Sequence, residues 1–246
     1  MPADLAENWV HMDTSSTRQS KHQLPALPYG YAALEPHVDA RTMQLHHDEH
    51  HASYVEKLNT ALAEFPELQA RDASWLLLNL DAVPRRIRTV VRNNAGGHLN
   101  HSMFWRGMAP GSTGLTAGPL ATAIDRDFGS LERFKARFEQ AGSAVFGSGW
   151  VWLARVNLDG GKLQIYTTPG HGNPLTQGRF PILVNDVWEH AYYLKHENRR
   201  DAYLHGWWRV VDWQEAARRF EQSDHSAERE WEDEGGRVLE KKAPAS

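Results

Sequence analysis

A carboxylate and an imidazole stand four residues apart, at Asp186 and His190, in a segment that could bind a metal ion. The apolar run before them, residues 180–185, predicts a short buried strand, and residues 194–200 after them predict a helix. At such a transition both side chains can point into one cavity, with Trp188 between them to exclude water. Without further ligands, a helix start with Asp186 as the N-cap and His190 as a core histidine is the better interpretation.

Histidine recurs with helix-like spacing at several other places in the chain. His46 and His50 form one pair, His98 and His101 form another, and His171 lies in a glycine-rich loop. Periodicity cannot choose among them, and it even nominates His46 and His50 as an i, i+4 metal pair. Each pair taken singly is more often a set of surface or core residues. Several pairs in one chain weaken that interpretation.

Composition restricts the chemistry. The chain of 246 residues has 14 histidines and no cysteine, so thiol catalysis, disulfides, zinc fingers and iron–sulfur clusters are excluded. A metal ion must therefore bind to His, Asp, Glu or water. The formal net charge of −4 argues against nonspecific nucleic-acid binding, which needs a basic face.

Nothing in the sequence predicts a membrane or an exported protein. No apolar run approaches the ~20 residues that span a bilayer. Residues 1–20 carry acids, are not arginine-rich, and lack a basic start followed by an apolar stretch. They therefore predict neither a secretory signal nor an organelle presequence, and we expect a cytoplasmic location.

The chain divides into four predicted segments. We expect a disordered arm at residues 1–21, a helical hairpin domain at 22–110, an α/β domain at 111–221, and a charged, disordered tail at 222–246. The linker rich in Pro and Gly at residues 109–119 marks the boundary between the two domains.

Two helices are predicted in the first domain. The first carries three side chains along one face at i, i+4 spacing, namely His46, His50 and Tyr54. The second runs through residues 87–105 and contains the adjacent glycines Gly96 and Gly97. Each glycine weakens a helix by about 1 kcal/mol, so we expect a compensating close approach at a metal pocket or a tight helix crossing.

The second domain combines helices with an antiparallel sheet. Its predicted helices are 120–127 and 130–142, its predicted strands are 148–156, 162–168 and 180–185, and its closing helix is 201–220. The sequence Asp159-Gly160 is typical of a hairpin turn between the first two strands. The fold class is therefore α+β.

Six motifs resemble those of the iron/manganese superoxide dismutases, in the order in which that family has them. They are ALEPH at residues 33–37, MQLHH at 43–47, HH at 50–51, NNAGGHLNHS at 93–102, FGSGW at 146–150 and DVWEHAYY at 186–193. The resemblance extends from about Leu24 to Phe220. It implies a long N-terminal α-hairpin domain, followed by a C-terminal domain in which helices flank a three-stranded antiparallel sheet.

The resemblance also implies the ligands that spacing cannot choose. They are His46, His101, Asp186 and His190, with water or hydroxide as a fifth ligand. Three imidazoles and one carboxylate suit manganese or iron, of which manganese is modestly favoured. Zinc has no redox couple. The implied reaction is the disproportionation of superoxide to dioxygen and hydrogen peroxide, as the metal alternates between its trivalent and divalent states.

Further roles follow from the same resemblance. His50 and Tyr54 would form the substrate gateway and pass a proton from bulk water. Trp188 would join Trp150, Trp152 and Phe104 in a dry shell. The family implies a homodimer in which Glu189 reaches the partner's His190 and Tyr193 reaches the partner's His50.

The chain departs from the family pattern in ways that concern the metal and the substrate. It has Gly97 where many iron enzymes place a glutamine, and His171 where manganese members usually supply one from a loop. A histidine there also occurs in members that use iron or either metal. The less favoured alternative is that His171 is simply an exposed loop residue.

Asp48 and Glu49 are acidic where many members carry a basic residue. Superoxide is an anion, so any electrostatic steering would have to come from Arg199, Arg200 or Lys57.

Two other functions compete with this interpretation. A non-haem iron oxygenase would need two histidines and one carboxylate with open positions, fewer ligands than the resemblance implies. A non-catalytic metal store would not need a proton gateway such as Tyr54 and His50.

Overall fold

The computed structural model describes residues 21–156 and 161–233. The predicted arm lies outside the described residues except for Lys21. So do residues 157–160 of the predicted hairpin turn and residues 234–246 of the predicted tail.

The first half of the chain is helical. Its elements are α1 (Ala40–Leu45), a π-helical turn (His46–His51), α2 (Ala52–Leu62), α3 (Pro66–Gln69), α4 (Ala73–Leu78) and α5 (Arg85–Arg106). Helices α2 and α5 pack against each other, which confirms the predicted α-hairpin. Apolar side chains between them, including Leu58, Leu62 and Val91, are fully buried.

A π-helical turn interrupts the first predicted helix at the residues that the sequence places in one stripe. Backbone hydrogen bonds in a π turn skip one residue more than in an α-helix, so the side chains shift around the axis. His46, His47 and His51 are therefore all buried, while His50 is half-buried. The π turn changes the helical register of the predicted i, i+4 stripe, but the rings of His46 and His50 still meet at 6.3 Å, and all three residues of the stripe remain helical.

The adjacent glycines of α5 compensate for their helical cost in the predicted way. A Cβ atom on Gly96 would overlap the carbonyl oxygen of His171, and one on Gly97 would lie 2.7 Å from the ring of Tyr54. Only glycine allows these two neighbours to approach the helix so closely.

The second half combines helices with a sheet. Its elements are α6 (Pro119–Phe128), α7 (Leu131–Ser143), β1 (Gly149–Val156), β2 (Lys162–Pro169), β3 (Arg179–Asp186), α8 (Tyr193–His196), α9 (Arg200–Trp207) and α10 (Trp213–Asp233). The three strands form an antiparallel sheet in the order β2-β1-β3. Trp150 on the central strand lies opposite Asp186, so the sheet register fixes the end of β3. The α+β prediction is confirmed.

Two predicted helices have different bounds in the structure. After β3 the chain forms a 3-10 turn (Glu189–Ala191) and the four-residue α8, so the helix predicted at 194–200 is shorter than predicted and ends at His196. The predicted closing helix is two helices, α9 and α10. Between them Met108 pairs with Val211, which ties this break to the end of α5.

Helix α10 continues to Asp233, so residues 222–233 are helical and the prediction that they are a disordered tail is wrong. Ser223 explains part of the difference, because it is fully buried and accepts a hydrogen bond from Arg155 at 3.0 Å. The division into domains at residues 110 and 111 stays a prediction. Among the described helices, none is both long and apolar enough to cross a bilayer.

The main core lies between the sheet and the helices that cover it. Its largest fully buried side chains are aromatic and include Trp105, Trp150, Trp152 and Trp207. Because Trp105 and Trp150 also reach the site described next, the core and the site share a wall.

Candidate metal centre

Four side chains from separate elements converge on one buried point. His46 begins the π-helical turn, His101 lies on α5, Asp186 ends β3, and His190 lies in the following 3-10 turn. Their ligand atoms all lie within 4.8 Å of one another. The convergence of the two halves of the chain, which the resemblance implies, is therefore present.

The carboxylate of Asp186 is the centre of this cluster. Its Oδ2 lies 3.1 Å from His46 Nε2, 3.3 Å from His190 Nε2 and 3.6 Å from His101 Nε2. Its Oδ1 accepts a hydrogen bond from the backbone N–H of Trp188 at 2.8 Å. One carboxylate oxygen is thus fixed by the backbone, and the other faces three imidazoles.

His101 shows that the residues fit a metal ion. Its Nδ1–H donates to the carbonyl oxygen of Gly97 at 2.6 Å, so Nε2 carries the lone pair. That Nε2 is buried and has no hydrogen-bond partner in the described part of the chain. A buried polar atom without a partner is costly, and a metal ion at the point where the four groups meet would satisfy it.

The ionisation of these groups suits metal binding. Burial lowers the pKa of His46 to about 4, with a further contribution from His190, although Asp186 opposes the shift. Burial likewise lowers the pKa of His101 well below its usual range. Burial alone would raise the pKa of Asp186, but His190 and His46 outweigh it and hold that pKa low. Near pH 7 the cluster therefore offers a carboxylate, with His46 and His101 as neutral imidazoles.

Aromatic side chains enclose the cluster. Trp188 stacks on His190, with ring centroids 5.3 Å apart, and its indole N–H donates to Gly170 O at 3.0 Å. The edge of Trp150 meets His101 at 5.0 Å, and Phe104 lies 5.8 Å from His46. Trp152 lies one layer further out, 6.1 Å from Trp150.

His50 and Tyr54 are placed next to the ligands. The ring of His50 stacks on that of His190 at 4.2 Å. Tyr54 lies 5.3 Å from His101 and is half-buried. Burial, with a contribution from Asp186, raises the pKa of Tyr54 to about 12, so its phenol keeps its proton near pH 7.

His171 lies inside the site and is not an exposed loop residue. Its ring stacks on Trp188 at 4.5 Å and meets Tyr54 at 4.4 Å. The indole N–H of Trp150 points at its Nδ1 from 3.3 Å; because an indole can only donate, His171 must carry its own proton on Nε2. That Nε2 is buried without a partner among the described residues, and burial lowers the pKa of His171 to about 4.

Comparisons with known proteins agree with this geometry. The alpha-hairpin domain of the iron/manganese superoxide dismutases matches residues 21–109, and the C-terminal domain of the same family matches residues 116–219. The chain belongs to the iron/manganese superoxide dismutase family. It is an oxidoreductase whose reaction is the disproportionation of superoxide.

Relatives are similar along most of this superoxide dismutase. Manganese superoxide dismutase 1 of Leptolyngbya boryana is 52% identical over 206 residues, which cover 83% of this chain and 82% of that protein. The manganese superoxide dismutase of Yersinia enterocolitica is 51% identical over 82% of this chain and 99% of its own length. That of Listeria monocytogenes is 48% identical over 81% and 98%.

Glu189 and Tyr193 do not reach the metal cluster of their own chain. The carboxylate of Glu189 accepts a hydrogen bond from Ser148 Oγ at 2.7 Å and lies 3.3 Å from Arg200. Tyr193 is 53% exposed. Phe146, which lies close to Ser148 in the sequence, is fully exposed. These side chains therefore face outward from the described chain.

The structure changes two expectations about the charged residues near the route of superoxide to the site. Arg200 cannot serve as a free surface cation, because its guanidinium donates to Tyr192 Oη at 3.0 Å and to Gly147 O at 2.9 Å. Asp48 is not a free acid, because Tyr31 Oη donates to it at 2.8 Å and His47 Nδ1 lies 2.7 Å away.

Sequence reasoning missed one layer of the site. His51 stacks on the ligand His101 at 5.3 Å, and Trp105 meets the ligand His46 at 4.7 Å. The repeated histidine doublets at residues 46–47 and 50–51 were the available signal. They did not show which member of each doublet faces which neighbour.

Proposed function

We propose that this superoxide dismutase holds one manganese ion on His46, His101, Asp186 and His190, and that the same ligands also accept iron. Its relatives from Leptolyngbya, Yersinia and Listeria are named manganese enzymes. The chemistry such an ion supplies is alternation between trivalent and divalent states, which carries one electron from one superoxide to a second.

The observation that carries the proposal is the unpartnered Nε2 of His101 within a cluster whose ligand atoms lie within 4.8 Å of one another. The test is elemental analysis of protein purified from its own host, followed by activity assays on samples reconstituted with manganese and with iron. We expect about one metal ion per subunit and higher activity with manganese. Activity in metal-free protein would overturn the proposal, and activity with iron alone would correct the metal.

The chain's own residues would bring protons to the reduced product. Tyr54 holds its proton near pH 7 and lies against His101 and His171, while His50 is half-buried beside His190. We assign to Tyr54 and His50 the path from bulk water. Trp188 would keep the remaining wall dry.

His171 would set the preference between metals. Its tautomer presents a buried N–H, which is the group needed to donate a hydrogen bond to a solvent molecule bound at the centre. A hydrogen bond to that solvent changes its acidity and with it the redox potential of the centre.

A homodimer would complete the site from outside. Glu189 and Tyr193 face outward, and the apolar side chains of Phe146 and Leu194, which lie near Ser148 and Tyr193 in the sequence, are exposed as well. In the proposed dimer Glu189 bonds the partner's His190 and Tyr193 bonds the partner's His50. Light scattering of the purified protein tests the assembly, and a monomer with full activity would contradict it.

A cytoplasmic, antioxidant role belongs to the same proposal, and cell fractionation tests the location. The oxygenase alternative is disfavoured because four protein side chains converge where that class uses three.

A further inference from the structure

One face of the ring of the ligand His101 is covered by His51, which is fully buried. The two rings are nearly parallel, with centroids 5.3 Å apart and an angle of 21° between their planes. Both nitrogens of His51 are bonded: the indole N–H of Trp105 lies 3.0 Å from Nδ1, and His98 Nδ1 lies 2.8 Å from Nε2. His51 is thus held from both ends.

The direction of these hydrogen bonds follows from Trp105 alone. An indole nitrogen can only donate, so His51 Nδ1 must accept and its proton must lie on Nε2. His51 Nε2–H then donates to His98 Nδ1, which places the proton of His98 on its own Nε2. Both rings are neutral in this chain of bonds, and one donor determines both tautomers.

The bonded group supports two metal ligands at once. His51 packs on His101, and its donor Trp105 is buried with its ring against the edge of His46 at 4.7 Å. If His51 lost its acceptor, its buried N–H would be left unpaired. Turning the ring over to find another acceptor would break the bond from Trp105.

His98 acts at a distance from the ligands. Its ring contacts in the described chain are with His51 at 5.1 Å and His22 at 5.8 Å. We propose that His98 is a positioning residue for the metal centre: by accepting the N–H of His51 it holds the ring that packs on His101 and anchors Trp105. This inference rests on the proposed metal ligands.

A matched pair of variants tests the role of the acceptor. His98→Asn keeps an acceptor atom close to the position of Nδ1, whereas His98→Leu has nearly the size of asparagine and no acceptor. In the manganese-loaded protein we measure the rate of metal release to a chelator and the ligand-field absorption band. Loss of a group that orients a ligand typically weakens metal binding about 10- to 100-fold. We therefore expect His98→Leu to release metal faster by about that factor, with a shifted band.

The Asn variant should release metal within about threefold of the wild type, because its acceptor remains. Asn79→Leu is the control, since it removes a half-buried hydrogen bond to Trp75 O in the same hairpin, away from the ligands. It should leave metal release unchanged. Wild-type release from His98→Leu would overturn the inference. Equally fast release from the Asn and Leu variants would also overturn it, because the ring and not its acceptor would then matter.

A second measurement does not depend on any variant folding. Nitrogen-15 NMR of the wild-type protein loaded with diamagnetic zinc should show His51 and His98 both protonated on Nε2, and a proton on Nδ1 of His51 would overturn the inference. Asp186→Ala separates the two levels of the proposal. If that variant keeps its metal, the proposed set of metal ligands is wrong. If it loses the metal while His98→Leu behaves as wild type, only the role of His98 is wrong.

Discussion

The inner side of the metal centre is formed by α5 and the π-helical turn, and its rings are buried and make contacts within the chain. The outer side lies around Glu189 and Tyr193, and its side chains are exposed to solvent. His51 and His101 are 0% exposed, whereas the side chain of Glu189 is 47% exposed and Tyr193 is 53% exposed. Among the described residues, the hydrogen bonds of His51 on the inner side are all made within one chain. The outer side presents exposed groups to the dimer proposed above, and that proposal separates metal binding from assembly.

If this contrast is correct, a substitution at the inner side should cause the largest loss of metal binding and activity. Asp186→Ala removes the oxygen that lies 3.1 to 3.6 Å from three imidazole nitrogens. We expect the variant to fold, to bind no stoichiometric metal and to have the activity of metal-free protein, measured by elemental analysis and superoxide decay. Asp81→Ala is the control, because Asp81 is an exposed aspartate paired with Arg88. A metal-loaded, active Asp186→Ala would remove the basis of the contrast.

Acid should also destabilise the inner side. Burial lowers the pKa of His51 to about 2, with His98 contributing, and burial with His22 lowers the pKa of His98 to about 3. In the unfolded chain these histidines have the ordinary pKa of 6.5 and take up protons below that pH. In the folded protein both histidines stay neutral over the same pH range. The stabilisation is complete above pH 6.5 and is lost as the pH falls below it. Each such histidine contributes up to about 1.4 kcal/mol per pH unit to the loss.

Urea unfolding of the metal-free protein between pH 7 and pH 4 measures this dependence. His98→Asn removes one of these groups, so its free energy of unfolding should fall less steeply with pH, by about one proton in the slope. Identical slopes for the variant and the wild type would show that His98 is not a buried neutral histidine.

A smaller but informative effect is expected at the outer side. Glu189→Ala should weaken the dimer by roughly 30-fold or more, because truncating one partner of a buried charged pair commonly costs at least ~2 kcal/mol. Activity should fall with it. Ser148→Ala removes only a bond that Glu189 makes within its own chain, so it should change assembly much less. Sedimentation and activity are measured on the same samples; a stable, fully active monomer would show that the outer groups do not complete the site.

The two sides also differ in how far the sequence predicts them. Strand positions, the α5 glycines and the order of elements follow from hydrophobic pattern and turn chemistry, and the ligands follow from resemblance. The π-helical turn does not follow from the sequence, because the spacing of His46 and His50 fits a regular α-helix equally well. The fixed position of Arg200 does not follow from the sequence either, since its acceptors include the backbone oxygen of Gly147, which is far away in the sequence. Contacts of that kind depend on the folded chain and leave no local pattern.

The smallest expected effect lies between the two sides, at His171. His171→Gln keeps a side-chain N–H that can replace Nε2–H, but it loses the ring that stacks on Trp188 at 4.5 Å. Both metals should still bind, because the four ligands are unchanged. The ratio of activity with manganese to activity with iron should shift by roughly tenfold. That is the lower end of the effects of groups that orient or hydrogen-bond a metal ligand. The measurement is activity per bound metal in separately reconstituted samples. Phe146→Ala at the outer surface should leave that ratio unchanged. A wild-type ratio and wild-type activity in His171→Gln would show that the buried N–H of His171 does not act on the centre, and would leave metal preference to the inner side alone.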